Sequence, residues 1–135
     1  MSLESLESLD ELLTTAAAKP YRPGTHDCVT LIAQWADLLT GSNHLQNLSG
    51  TYATKFQGLG RHTTGSVCAA IRVHLLNHGW QETPIASLKQ GDIVLTDVDH
   101  PGIFHSGTIH AQPFGCTGAL QLHPNHAKSA LTWPA

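Results

Sequence analysis

Asp27-Cys28-Val29-Thr30-Leu31-Ile32-Ala33-Gln34-Trp35-Ala36-Asp37-Leu38-Leu39-Thr40-Gly41 is the stretch around which the rest of this chain is organised. Cys28, Leu31, Ile32, Trp35 and Leu39 recur at helical spacing, and Val29, Ala33 and Ala36 widen the apolar arc. A helix apolar over so much of its circumference is expected to be central and buried. Asp27 suits the N-cap and Gly41 the C′ position. Cys28 thus falls in the first turn, where unpaired N–H groups and a partial positive charge favour thiolate over thiol. The same N–H groups can hold an oxyanion formed when a thiolate attacks a carbonyl.

Upstream, residues 3–19 read as a first helix. Leu6, Leu9, Leu12 and Leu13 keep helical spacing, and Glu4, Glu7, Asp10 and Glu11 place acid in its first half. Pro20 and Pro23-Gly24 end it. Downstream, residues 41–65 are polar and Gly-rich, with a short helix near Tyr52–Gln57. A further helix fits Ser66 to His78, capped by Ser66 and stopped by Gly79, with Val67, Ala70, Ile71 and Leu75 inward. After Pro84 the pattern changes to strands: Asp92–Leu95, Gly102–His105 and Thr108–Ala111 across Ser106-Gly107, and Ala119–Leu122. Helices followed by a small antiparallel sheet make an α+β layout.

The 135 residues are enough for one domain with one core, spanning 1–135. A formal charge of -3 and no Lys/Arg cluster argue against nucleic acid as a partner. No apolar run approaches the roughly 18 residues of a membrane span. No basic segment precedes an apolar one at the N-terminus, so synthesis in the cytoplasm without a signal peptide is expected. Cys28, Cys68 and Cys116 are odd in number and widely spaced, a poor disulfide framework.

Ten histidines raise the question of a base or a metal site. A nucleophilic cysteine needs a base within hydrogen-bond reach, and the base needs an orienting partner. His100 opens one strand and His110 lies in the returning one, so one could pair with Cys28 while the other fixes its tautomer. His105 sits five residues from each, and odd spacing argues against a metal site built on the three. Cys116, His123 and His126 offer an H-x-x-H pair with a distant thiol but no obvious fourth ligand. Neither metal nor cofactor is expected.

The ordered set Tyr21, Gly24, Asp27-Cys28, Gly91-Asp92-Ile93-Val94, His100-Pro101-Gly102-Ile103-Phe104 and Ile109-His110-Ala111 resembles the NlpC family of papain-like cell-wall cysteine peptidases. The chain also looks like small phage tail-module relatives of that family, through Ala33, Trp35, Thr40-Gly41 and the closing Trp133. The resemblance implies a papain-like fold with the Cys-bearing helix packed on the sheet. It implies Cys28 as nucleophile, His100 as base and His110 as its orienter. It also implies Asp27 holding the substrate's free amine and Tyr21 near the oxyanion. Four features depart from the family's pattern: Val29-Thr30 in place of Ser-Gly, Pro23-Gly24-Thr25 in place of an aromatic-Gly-Gly loop, Pro101 in place of a β-branched residue beside the base, and a short turn between the histidines.

The expectation is therefore a thiol peptidase or amidase acting on bacterial stem peptides, delivered by a phage tail and meeting other tail proteins there. The alternative is a structural tail-tip or tail-assembly subunit on the same scaffold with its site degenerate. Acyl transfer by the same thiol is a third reading. Residues 1–19 either pack on the domain or dock a partner.

Overall fold

The structure is a computed structural model, and it describes residues 3–18, 28–41, 43, 67–98, 100–111 and 120–134. Three helices come first: α1 (Leu3–Ala17), α2 (Cys28–Thr40) and α3 (Val67–Leu76). Strands follow as β1 (Gln81–Thr83), β2 (Ile93–Thr96), β3 (Pro101–His105), β4 (Thr108–Ala111), β5 (Leu120–Leu122) and β6 (Ala127–Thr132). Short 3-10 turns at Ile85–Ser87 and Pro124–His126 precede β2 and β6. The strands form one antiparallel sheet in the order β1-β6-β2-β3-β4-β5. The fold is mixed α+β, with N-terminal helices and a multi-stranded antiparallel sheet.

Each helix shows why its sequence is helical. In α1, Leu9, Leu13 and Ala16 are buried at helical spacing, with Leu12 packed against the same core. This leucine stripe packs on the domain. In α2, five consecutive residues from Val29 to Ala33 are buried, as are Trp35 and Ala36. The arc is wide because α2 is flanked by α1 on one side and lies on β3 on the other. Gly41 takes φ +74° and donates its N–H to Asp37 O at 2.9 Å, closing the helix as the C′ glycine. Past α3, Gly79 at φ +94° lets Trp80 N–H reach back to Leu75 O at 3.1 Å, a Schellman ending. Trp80 is thereby turned into the core against Trp133, ring centroids 5.7 Å apart. The Ser66 cap, Asp27 cap and 52–57 helix expected from sequence lie outside the described residues.

Strand register fixes the two faces of the sheet. Ile93 pairs with Ile103 and Leu131, so these three side chains share a face. They belong, with Leu95, to the core cluster that includes Leu9, Ile32, Trp35 and Ile71 of the helices. On the other face Val94, Ile109, Ala111 and Ala130 are buried as well. Ser106 and Gly107 both take positive φ, 51° and 78°, the geometry of a two-residue I′ hairpin joining β3 to β4.

Two strands are not signalled by their own residue pattern, although the resemblance implies a short strand before Trp133. Gln81-Glu82-Thr83 carries no apolar residue, and it becomes β1 only by pairing with β6 along the sheet edge. Ala127-Lys128-Ser129-Ala130-Leu131-Thr132 has small and charged residues where a strand signal needs branched ones. It becomes β6 because it fills the space between β1 and β2. The remaining helices and strands lie within two residues of their expected bounds.

Candidate functional site

Cys28 is the first residue of α2. Its side chain lies outside the described residues, as do Tyr21, Asp27 and Cys116. The helix it opens packs against β3. Its direction is set near the other end, where Trp35 Nε1–H donates to Gly91 O at 2.7 Å in the buried core. Gly91 N–H in turn donates to Phe104 O at 2.8 Å, near the end of β3. Leu39, one turn further along, lines a small cavity with Gly91, Asp92 and Trp133. The C-terminal half of α2 is therefore fastened at the Phe104 end of β3. Asp92 holds that corner: its buried carboxylate accepts from Lys89 N–H at 2.9 Å and its carbonyl from Phe104 N–H at 2.9 Å.

His100 stands immediately before β3, half-buried. Its backbone is clamped by one side chain. Thr96 Oγ1 donates to His100 O at 2.8 Å and accepts from His100 N–H at 3.2 Å. Thr96 is itself buried at the end of β2, so the β2–β3 turn hangs on a fixed hydroxyl. Among the described residues the His100 ring has no hydrogen-bond partner. Pro101 opens β3 at a position where the ladder with β4, which starts at Ile103, has not begun, so its missing N–H breaks no bond there.

His110 lies elsewhere. It pairs across the hairpin with Ile103, three positions beyond His100, because a two-residue turn sets the register. Three positions along a strand is about 10 Å. The hairpin does not place His110 beside His100. His110 Nε2 instead lies 3.2 Å from His105 O and 3.1 Å from Thr108 Oγ1. The carbonyl can only accept, so Nε2 carries the proton of the neutral ring. Burial, the largest influence, lowers the pKa of His110; the bond to His105 O opposes this, and the His105 charge adds to it.

His105 joins the same face as His110, with ring centroids 5.8 Å apart. The five-residue spacing suggested opposite faces, but the two residues are on different strands, and alternation within one strand does not relate them. His105 Nε2 reaches Asp10 Oδ1 of α1 at 3.2 Å, tying the first helix to the sheet. Its Nδ1 is buried without a hydrogen-bond partner among the described residues. No group of three or more His, Cys, Asp or Glu among the described residues is arranged to hold a metal ion. His123 caps the turn before β6 by accepting from Asn125 N–H at 3.0 Å, and His126 Nδ1 lies 3.0 Å from Asp97 Oδ1. No described helix is long and apolar enough to cross a membrane.

The profile of a domain family described as a domain of unknown function, DUF6950, matches residues 4–131, and the chain belongs to that family. No curated protein matches the chain.

Proposed function

We propose that this member of the DUF6950 family is a thiol hydrolase of the papain-like, NlpC type, cleaving a peptide or amide bond of bacterial cell-wall stem peptides, with Cys28 as nucleophile and His100 as base. One observation carries the reading: α2, which begins at Cys28, packs against β3, which begins just after His100, and is fastened at the far end of that strand by Trp35. Cys28 is seven residues before Trp35, about 10 Å along the helix. Pro101 is three residues before Phe104, about 10 Å along the strand. In this reading the two run side by side, and their starts come together at the Pro101 end of β3.

In this reading the Cys28 sulfur attacks the scissile carbonyl while the His100 ring takes the thiol proton. Backbone N–H groups at the head of α2 receive the oxyanion. The leaving amine departs with the proton from His100, and water then hydrolyses the thioester. Asp27 would hold the substrate's free amine and Tyr21 would sit near the oxyanion. Thr96 fixes the backbone of His100, so the base is held without His110 at its side. Delivery by a phage tail is part of the proposal.

Purified protein incubated with stem-peptide substrates tests it. Cleavage that disappears in both Cys28→Ala and His100→Ala supports the pair; cleavage that survives Cys28→Ala removes it. A second reading, a structural tail subunit with a degenerate site, is favoured by the hairpin register that sets His110 three positions from His100. Absence of any thiol-dependent turnover, together with stable association with tail proteins, would establish it instead.

A further inference from the structure

A cavity of about 520 Å³ opens between α3 and the β2–β6 seam, and we propose that it binds a carboxylate of the peptide substrate; this rests on the hydrolase reading above. Its volume falls in the range of sites that hold a small peptide fragment, roughly 300–1,000 Å³. Thr96 both lines this cavity and clamps His100, so the cavity abuts the turn that carries the proposed base.

The lining names the ligand chemistry. Arg72 and Lys128 supply cations, Ser129 supplies a hydroxyl (that of Thr96 is already donated to His100 O), and Cys68 and Leu95 supply an apolar wall. Among the described residues Arg72 is engaged only by Glu82, through Nε and Nη2 to a single carboxylate oxygen, which leaves further N–H donors. Lys128 has no ion-pair partner among the described residues. Asp97, the carboxylate that also lines the cavity, is paired with His126. An incoming carboxylate with an apolar stem therefore meets unused donors, whereas an incoming cation meets Arg72 and Lys128. Arginine in such a site can bind a carboxylate through two parallel N–H bonds.

Binding to full-length Cys28→Ala protein tests this apart from catalysis. The probes are the tripeptide L-Ala–γ-D-Glu–L-Lys and the same tripeptide with both carboxyls converted to carboxamides, titrated by amide NMR. The acid form is expected to shift the amides of Arg72, Thr96 and Ser129 and to bind at least about tenfold more tightly than the carboxamide. Lys128→Gln is expected to lose much of that preference and Arg72→Gln with Lys128→Gln all of it. Lys89→Gln, on a different cavity, keeps it. Equal affinity for the two probes, or shifts confined to residues away from the cavity, overturns the proposal even if the protein hydrolyses wall peptides. Carboxylate-selective binding in a protein without turnover supports the pocket while removing the hydrolase.

Discussion

Replacing Thr96 by Val exchanges one hydroxyl for a methyl of the same shape and keeps the β-branch that suits a strand. The hydroxyl makes two hydrogen bonds to the backbone of His100, at 2.8 and 3.2 Å, from a site only 4% exposed. Each such bond contributes about 1 kcal/mol net. The loss is then about 2 kcal/mol, moderated because the half-buried turn can recruit water for the freed groups. In a chain of this length that lowers Tm by roughly 6–10 °C. Thr96→Ser keeps the hydroxyl and loses a buried methyl worth about 0.8 kcal/mol, so it should fall between. Urea denaturation measures the free energies, and hydrogen exchange of the His100 amide reads the clamp itself. Protection of that amide should persist in Thr96→Ser and drop in Thr96→Val. A Val variant within about 0.5 kcal/mol of the parent, with the His100 amide still protected, would show that the clamp does not hold the turn.

Other perturbations have equally definite outcomes. Gly102→Ala places a Cβ 2.5 Å from Ile109 Cγ2 and 2.8 Å from His110 O. The backbone atom cannot yield, so a loss of about 3 kcal/mol is expected in denaturant titration, and an unchanged midpoint would contradict the packing of β3 on β4. Trp35→Phe removes the bond to Gly91 O and leaves a buried gap, costing about 2–4 kcal/mol by calorimetry; a neutral change would mean that α2 is not anchored there. Burial lowers the pKa of His110, so between that lowered value and the unfolded value of about 6.5 the unfolded chain binds more protons. Its contribution is fully present above about pH 6.5 and is lost as pH falls towards the lowered value. His110→Gln should flatten this part of a stability–pH profile, and an identical slope in both proteins would show that another group sets it.

What the sequence reveals here divides along physical lines. The helices were legible because burial follows one face: Leu9 and Leu13 in α1, and Leu31, Ile32 and Trp35 in α2, recur at the helical period. The β3–β4 hairpin was legible because Ser106-Gly107 suits a two-residue turn between the runs Ile103-Phe104 and Thr108-Ile109. β1 and β6 were not, because Gln81–Thr83 and Ala127–Thr132 owe their extended form to neighbours far away in sequence. In the site, the helix-start position of Cys28 and the strand-start position of His100 were readable from their flanks. The separation of His110 from His100 was readable in principle: a two-residue turn fixes which residues face each other, and counting outward from it gives Ile103 opposite His110. The association of His105 with Asp10 was not, since nothing local joins residues so far apart in the chain. The Thr96 clamp was equally silent, because a threonine ending a strand has no distinctive pattern.

Alkylation by iodoacetamide at neutral pH, followed site by site with peptide mass spectrometry in the parent and in His100→Ala, bears on the proposed nucleophile and its base together. Cys28 should react ahead of Cys68, which is buried, and ahead of Cys116, and His100→Ala should slow Cys28 by about tenfold or more without changing the other two. Labelling of Cys28 no faster than Cys68, or at a rate indifferent to His100, would contradict a thiol–imidazole pair at the head of α2 and leave the scaffold without the chemistry proposed for it.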